Sequence, residues 1–236
     1  MKDKLKLIVI FGCNLLFLVL ITFHVKDKFW NSNPIIIPIT ENTHLLFLFS
    51  GSTPKQVQSD FWCKTVVNGS YFAYTESGNF LPAGVWYEGN GRSYLRENHP
   101  FGPNLTTTIR FYQKSKKADF FFDQSNVEVE SWSVVFNAEP RLVQSGKINP
   151  QLHQSISHWQ WGYPRMVIAQ KGKNQLFLVL SRQKITLSQL ANRLQSHDFY
   201  DAINLDWGPS TAITSKSFGV TNFNEEERLP IFFCIT

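Results

Sequence analysis

Apolar and β-branched residues come in short, regularly interrupted runs along most of the chain. They are IIIPI at 35–39, HLLFLFS at 44–50, CKTVV at 63–67, TTTIRFY at 106–112, ADFFF at 118–122, WSVVF at 132–136, RMVIA at 165–169 and QLFLVLS at 175–181. Each run is bounded by Gly, Pro, Asn or Ser and is rich in Val, Ile, Thr and aromatic side chains, the composition of β-strands. One segment follows another period. Leu187, Leu190, Ala191 and Leu194 fall at i, i+3, i+4 and i+7, the single apolar stripe of an amphipathic helix. Thr186 and Gln189 match a capping box, in which the hydroxyl accepts from the backbone three residues on and the amide reaches back. The pattern predicts an α+β chain: one mostly-β, mixed-sheet domain with a few packed helices.

Residues 165–205 read as strand, turn at Lys171-Gly172-Lys173-Asn174, strand, capped helix and strand, the last being DAINLD at 201–206. A strand reached through a helical crossover leaves its C-terminal end open to a crevice where ligands bind, and Asp206 stands at that end. Beyond it, Gly208 lets backbone approach a ligand, while Ser210 and Thr211 supply hydroxyl and amide donors suited to a phosphate or sugar oxygen. An Asp opening a turn that Ser and Thr then cap is the plain alternative. Two more stretches carry the same double meaning. Asn68-Gly69, between Val66-Val67 and Tyr71-Phe72, is first of all a hairpin signal. Arg165 at the head of RMVIA is either a phosphate-binding guanidinium or half of a surface ion pair.

The N-terminus changes the picture of where such a domain resides. Residues 7–25 contain no Lys, Arg, Asp or Glu and approach the roughly 20 residues of a membrane-spanning helix. Lys2, Lys4 and Lys6 precede the window against one Asp3, which favours a cytoplasmic N-terminus and an exported remainder. A cleaved signal peptide is the rival reading, but HVKDKFWNSNP offers no small-x-small cleavage pattern. The expected organisation is a stub and anchor over 1–28, a linker and first strand over 29–40, and a folded domain over 41–236.

The formal charge of +5 is concentrated at this end. Residues 1–28 hold five Lys and two acids, leaving 18 basic and 16 acidic side chains beyond them, so no basic patch calls for a nucleic-acid partner. Cys13 lies inside the apolar window. Cys63 and Cys234 remain in the exported part, either as a disulfide or as two buried thiols. No Cys or His cluster has metal-ligand spacing, so neither metal nor cofactor is expected.

Taken in order, VVNGSYF at 66–72, EPRLVQSGK at 139–147, PRMVIAQKGKNQLFLVLS at 164–181, TLSQLANRLQSHDFYDAINLDWGPST at 186–211 and ERLPIFF at 227–233 resemble the phosphodiester glycosidase family over about residues 40–236. The resemblance implies hydrolysis of a sugar-1-phosphodiester, with a sugar phosphate or phosphorylated glycan as ligand. It implies catalytic roles for Asp206 and Arg165, and substrate-binding roles for Asn68, Gly69, Gly208, Ser210, Thr211 and, as the family's late arginine, Arg228; Trp207 joins the expected substrate-binding residues through its own indole, not through the family's pattern. Asp206 would act near the anomeric carbon as base, nucleophile or electrostatic stabiliser, while Arg165 and the hydroxyls hold phosphate oxygens.

Two positions depart from the family's pattern: Ser70 and Trp207 each replace a glycine. A position needing φ > 0 would charge an indole about 1–2 kcal/mol, whereas an accommodated indole suits the apolar face of a sugar. A non-catalytic carbohydrate- or phosphate-binding module, degenerate at Trp207 and Ser70, is therefore the alternative function. A structural envelope protein, whose aromatic residues merely fill a β core, is the third.

Overall fold

The computed structural model describes residues 34–83, 85–89, 93–95, 107–122, 130–153, 160–172, 175–216 and 223–236. The apolar window at 7–25 lies outside the described residues, among which no helix is long and apolar enough to cross a membrane. The elements in chain order are β1 (Ile35–Pro38), β2 (Thr43–Ser52), α1 (Pro54–Asp60), β3 (Thr65–Asn68), β4 (Phe72–Tyr74), β5 (Phe80–Pro82), β6 (Val85–Glu88), β7 (Ser93–Leu95), β8 (Thr107–Tyr112), β9 (Ala118–Phe122), β10 (Ser133–Ala138), β11 (Arg141–Gln144), β12 (Lys147–Ile148), β13 (Tyr163–Lys171), β14 (Gln175–Ile185), α2 (Leu187–Ser196), β15 (Asp201–Trp207), β16 (Ile213–Ser215) and β17 (Leu229–Ile235). All eight apolar runs are strands.

The strands form a six-stranded sheet in the order β1-β14-β13-β15-β11-β12, a five-stranded sheet β7-β6-β10-β8-β9, a four-stranded sheet β16-β3-β17-β2, and the small pair β4-β5. Among the described residues every strand pairing is antiparallel, which corrects the expected mixed sheet: β15, after the α2 crossover, lies antiparallel to β13 and to β11 rather than parallel to a neighbour. Side-chain alternation explains why the runs look apolar throughout. Met166 and Ile168 point into a central core shared with Val67 and Phe233 of the four-stranded sheet and Trp86, Ile109 and Phe136 of the five-stranded one. Val167 and Ala169, on the other face of β13, meet Leu187, Leu190, Ala191 and Leu194 of α2. The four-stranded sheet repeats the arrangement, with Val66, Phe232 and Cys234 turned toward Val57 of α1. Both sheets are thus covered on two faces, and strands buried on both sides lose the polar half of their alternation.

The capping box at Thr186 is present as expected: its Oγ1 accepts from the Gln189 amide at 3.2 Å, and Gln189 Oε1 accepts from the Thr186 amide at 3.1 Å. Removing the cap with Thr186→Ala is expected to lower stability by about 1 kcal/mol in urea unfolding. A second, unforeseen capping box starts α1 at Thr53, with Gln56 as its partner. Cys63, just after α1, forms a disulfide with Cys234 on β17, resolving the two readings of that pair.

Candidate active site

At one end of the six-stranded sheet, several ladders lose regular register. Between β13 and β15, Arg165 pairs with Trp207 but Val167 pairs with Asn204, so β15 carries an extra residue across that step. β13 also shifts against β14 next to Arg165, and β11 shifts against β15 next to Arg141. Bulges break alternation and re-aim side chains, and here they surround Asp206.

The site centres on the hydroxyl of Tyr71, in the loop after β3. It donates to the Glu139 carbonyl at 2.7 Å and accepts from Asn204 Nδ2 at 2.7 Å. The Asn204 amide also reaches the carbonyls of Glu139 at 3.1 Å and Leu205 at 2.7 Å, which fixes its orientation. Its Oδ1, fully buried, has no hydrogen-bond partner among the described residues. Burial, then the nearby charges of Asp206 and Glu139, push the Tyr71 phenol well above its usual pKa; Arg165 and the Asn204 bond oppose them. Tyr71 therefore stays protonated while two carboxyl groups and a guanidinium act on it from β15, the β10–β11 connection and β13. Burial alone raises the Glu139 carboxyl to about 8, making it a neutral acid at pH 7. Arg165, also held down by burial, reaches about 10 and stays a cation.

The expected site residues are placed as follows. Asp206 donates its amide to the Gly69 carbonyl at 3.2 Å, and its own carbonyl accepts from Asn68 Nδ2 at 3.2 Å. Asn68 Oδ1 accepts from the Ala212 amide at 2.9 Å, so one buried side chain ties both ends of the 206–212 segment to β3. Asn68-Gly69 is not a hairpin: β3 pairs with the distant β16 and β17. Gly208 has φ +69°, Thr211 donates its hydroxyl to the Pro164 carbonyl at 3.2 Å, and Ser210 is half-buried in the turn between. Arg165 is fully buried, with Nη2 on the Trp161 carbonyl at 2.9 Å and its guanidinium 5.6 Å from the centre of the Tyr163 ring. Its Nε lies on the Ile185 carbonyl at 3.4 Å, and its charge acts on Tyr71. Arg228, exposed at the head of β17, donates to the Ser50 carbonyl at 2.6 Å.

Among the described residues, no group of three or more His, Cys, Asp or Glu is arranged to hold a metal ion. Comparison with known proteins extends this local picture. The phosphodiester glycosidase profile matches residues 62–235. The chain belongs to the phosphodiester glycosidase family. The family is one of hydrolases, and a glycosidase-type function follows from membership. Solved structures share the fold, three of them as follows. The catalytic domain of zebrafish N-acetylglucosamine-1-phosphodiester alpha-N-acetylglucosaminidase, auto-inhibited by its pro-peptide, is 16% identical, with TM-score 0.59 over 86% of this chain and 82% of that one. A putative exported protein of Burkholderia pseudomallei is 10% identical, with TM-score 0.53 over 85% and 73%. A hypothetical protein of Synechocystis is 12% identical, with TM-score 0.50 over 85% and 58%. A search of curated proteins finds no match.

Within this family the two departures become legible in backbone terms. Trp207 is the last residue of β15, and the left-handed position is Gly208, so residue 207 does not carry the positive φ that would penalise an indole. Ser70 is buried, has no positive φ, and donates to the Asn137 carbonyl, joining its loop to β10. Gly69 is the glycine that space requires. A Cβ there would stand 2.3 Å from Ile231 Cγ2, inside the core. Gly69→Ala is expected to cost about 1–3 kcal/mol, read as a melting temperature lower by about 3–10 °C.

Proposed function

We propose that the chain is an extracytoplasmic glycosidase that hydrolyses the glycosidic bond of a sugar-1-phosphodiester in a phosphorylated glycan or cell-surface polymer. The supporting observation is the meeting of Asp206, Glu139, Arg165 and Asn204 around the Tyr71 hydroxyl in a chain of this family. Asp206 faces the anomeric carbon, where its charge stabilises an oxocarbenium-like state and it serves either as base toward water or as nucleophile. Ser210 and the 208–211 turn bind phosphoryl oxygens, Asn68, Gly69 and Thr211 seat that turn, and Arg165 supplies positive charge from beneath. The bond between C1 and the bridging oxygen breaks with its electrons going to the phosphate, water supplies the new C1 hydroxyl, and a phosphate monoester leaves. Export is supported by the charge-free window at 7–25 with its Lys-rich flank, and by the Cys63–Cys234 disulfide, a bond that persists in oxidising compartments.

Trp207 in place of the family's glycine sustains a second reading, a module that binds the same ligand without turnover. Incubating the full-length protein with a methyl N-acetylglucosamine-1-phosphodiester and measuring released sugar separates the two. Saturable binding without product, converted to turnover by Trp207→Gly, selects the module.

A further inference from the structure

Two aromatic rings border the turn that follows Asp206. A Cβ built on Gly208 would stand 3.7 Å from Tyr163 Cδ1, an ordinary contact distance, so the Tyr163 ring lies directly beside that glycine. The Trp161 indole comes next, its ring centre 6.0 Å from that of Tyr163 and the two planes inclined at 58°. Tyr163 is half-buried, whereas Trp161 is 53% exposed. The main chain that carries both rings is held in place. The Trp161 carbonyl accepts from Arg165 Nη2 at 2.9 Å, and Tyr163 is registered against Ile185 of β14. Between them, Gly162 runs so close to β14 that a Cβ would meet Lys184 Cβ at 3.2 Å. A large flat ring left half in water on an anchored main chain, next to a polar turn, is suited to stacking on a ligand: its face is apolar, its edge carries an N–H, and little freedom remains to be lost on binding.

We propose that Trp161, with Tyr163 beside it, is the platform for the aglycone of the phosphodiester, and that the aglycone it takes is a pyranose ring rather than an acyclic polyol. The inference rests on the glycosidase reading for the placing of the phosphoryl group. In that reading Asp206 faces the anomeric carbon and the 208–211 turn takes the phosphoryl oxygens. Tyr163 borders the turn at Gly208, and Trp161 lies beyond Tyr163. The substrate runs in the same sequence, from C1 through the bridging oxygen and phosphorus to the second ester oxygen and the aglycone. Laid along these residues, its far end falls on the two rings. A pyranose presents a flat face of C–H groups to an indole, which an extended polyol cannot match in area. The platform thus favours a phosphorylated glycan over a polymer of polyol phosphates.

The test compares two non-hydrolysable C-phosphonate analogues of N-acetylglucosamine-1-phosphate by calorimetry on the full-length protein, one esterified to O6 of methyl glucoside and the other to glycerol. Both carry the same sugar and the same single charge, so their affinity ratio reads the aglycone alone. The wild type is expected to bind the pyranoside ester about fivefold or more tightly than the glycerol ester. Trp161→Ala is expected to bring that preference below about twofold, and Trp161→Phe, which keeps a flat ring, to retain about threefold. The melting temperature of Trp161→Ala should stay within about 2 °C of wild type, because the side chain is half in solvent. A wild-type ratio near one, a ratio unchanged in Trp161→Ala, an equal loss for both esters, or no binding of either overturns the proposal. Turnover of the matching phosphodiesters, followed in parallel, keeps the two readings apart. Ring preference that depends on Trp161 without turnover upholds the platform and sinks the glycosidase, whereas turnover of both diesters with no ring preference does the reverse. Where both hold, the Trp161→Ala loss on the pyranoside diester is expected in KM, the mark of binding shared by ground and transition states.

Discussion

Replacing Asp206 with Asn is expected to lower turnover of a sugar-1-phosphodiester by about 10³-fold, equivalent to about 4 kcal/mol of transition-state stabilisation. The substitution is nearly isosteric and leaves the main-chain anchors intact, since the amide bond to Gly69 and the carbonyl bond from Asn68 do not involve the carboxylate. What disappears is the charge that would face the anomeric carbon. The expected signature is a fall in kcat with a melting temperature within about 2 °C of wild type. Turnover within tenfold of wild type would remove Asp206 from the chemistry and return the 206–211 segment to the reading of a plain turn.

The second large effect is on stability. Cys63 and Cys234 are 171 residues apart, so their bond closes most of the folded chain into one loop. The chain-entropy account gives about 5 kcal/mol for a loop of that size, and removal of native disulfides usually costs about 2–5 kcal/mol. Reduction, or the double variant Cys63→Ser with Cys234→Ser, is expected to lower the melting temperature by about 5–15 °C. The Cys pair lies within the cluster of Val57, Val66, Ala212, Leu229 and Phe232. Loosening it also frees the segment that leads from α1 into β3, whose far end is Asn68. Identical melting curves with and without reductant would show that packing alone holds these elements.

Much of the architecture was legible because it is written in local periods. The eight apolar runs, the 3.6-residue stripe of α2 and its capping box depend on neighbours a few residues away, and each element appears where its pattern lies. The family also was legible, since it lives in the order of five motifs. Asn68-Gly69 shows where local reading stops: the dipeptide signals a hairpin, but the bonds that define it come from residues 206 and 212. Local patterning does not single out Glu139 or Asn204 as site residues, for the same reason. Asn204 is the lone polar side chain in the Ala202–Leu205 run, and a polar group inside a buried strand must find partners or a task; that was an available signal. The shift on Glu139 comes from desolvation by tertiary neighbours, and nothing in EPR announces it.

The placement of β17 governs the order in which the molecule can be completed. The last strand of the chain lies in the middle of its sheet, between β3 and β2, pairing Phe233 with Val67 on one side and with Leu45 on the other. Until it arrives, a growing polypeptide presents two open, apolar sheet edges that no earlier segment can close, a hazard for aggregation. Folding of this sheet as a unit must therefore wait until β17 has been synthesised, and holdase chaperones would act during that interval.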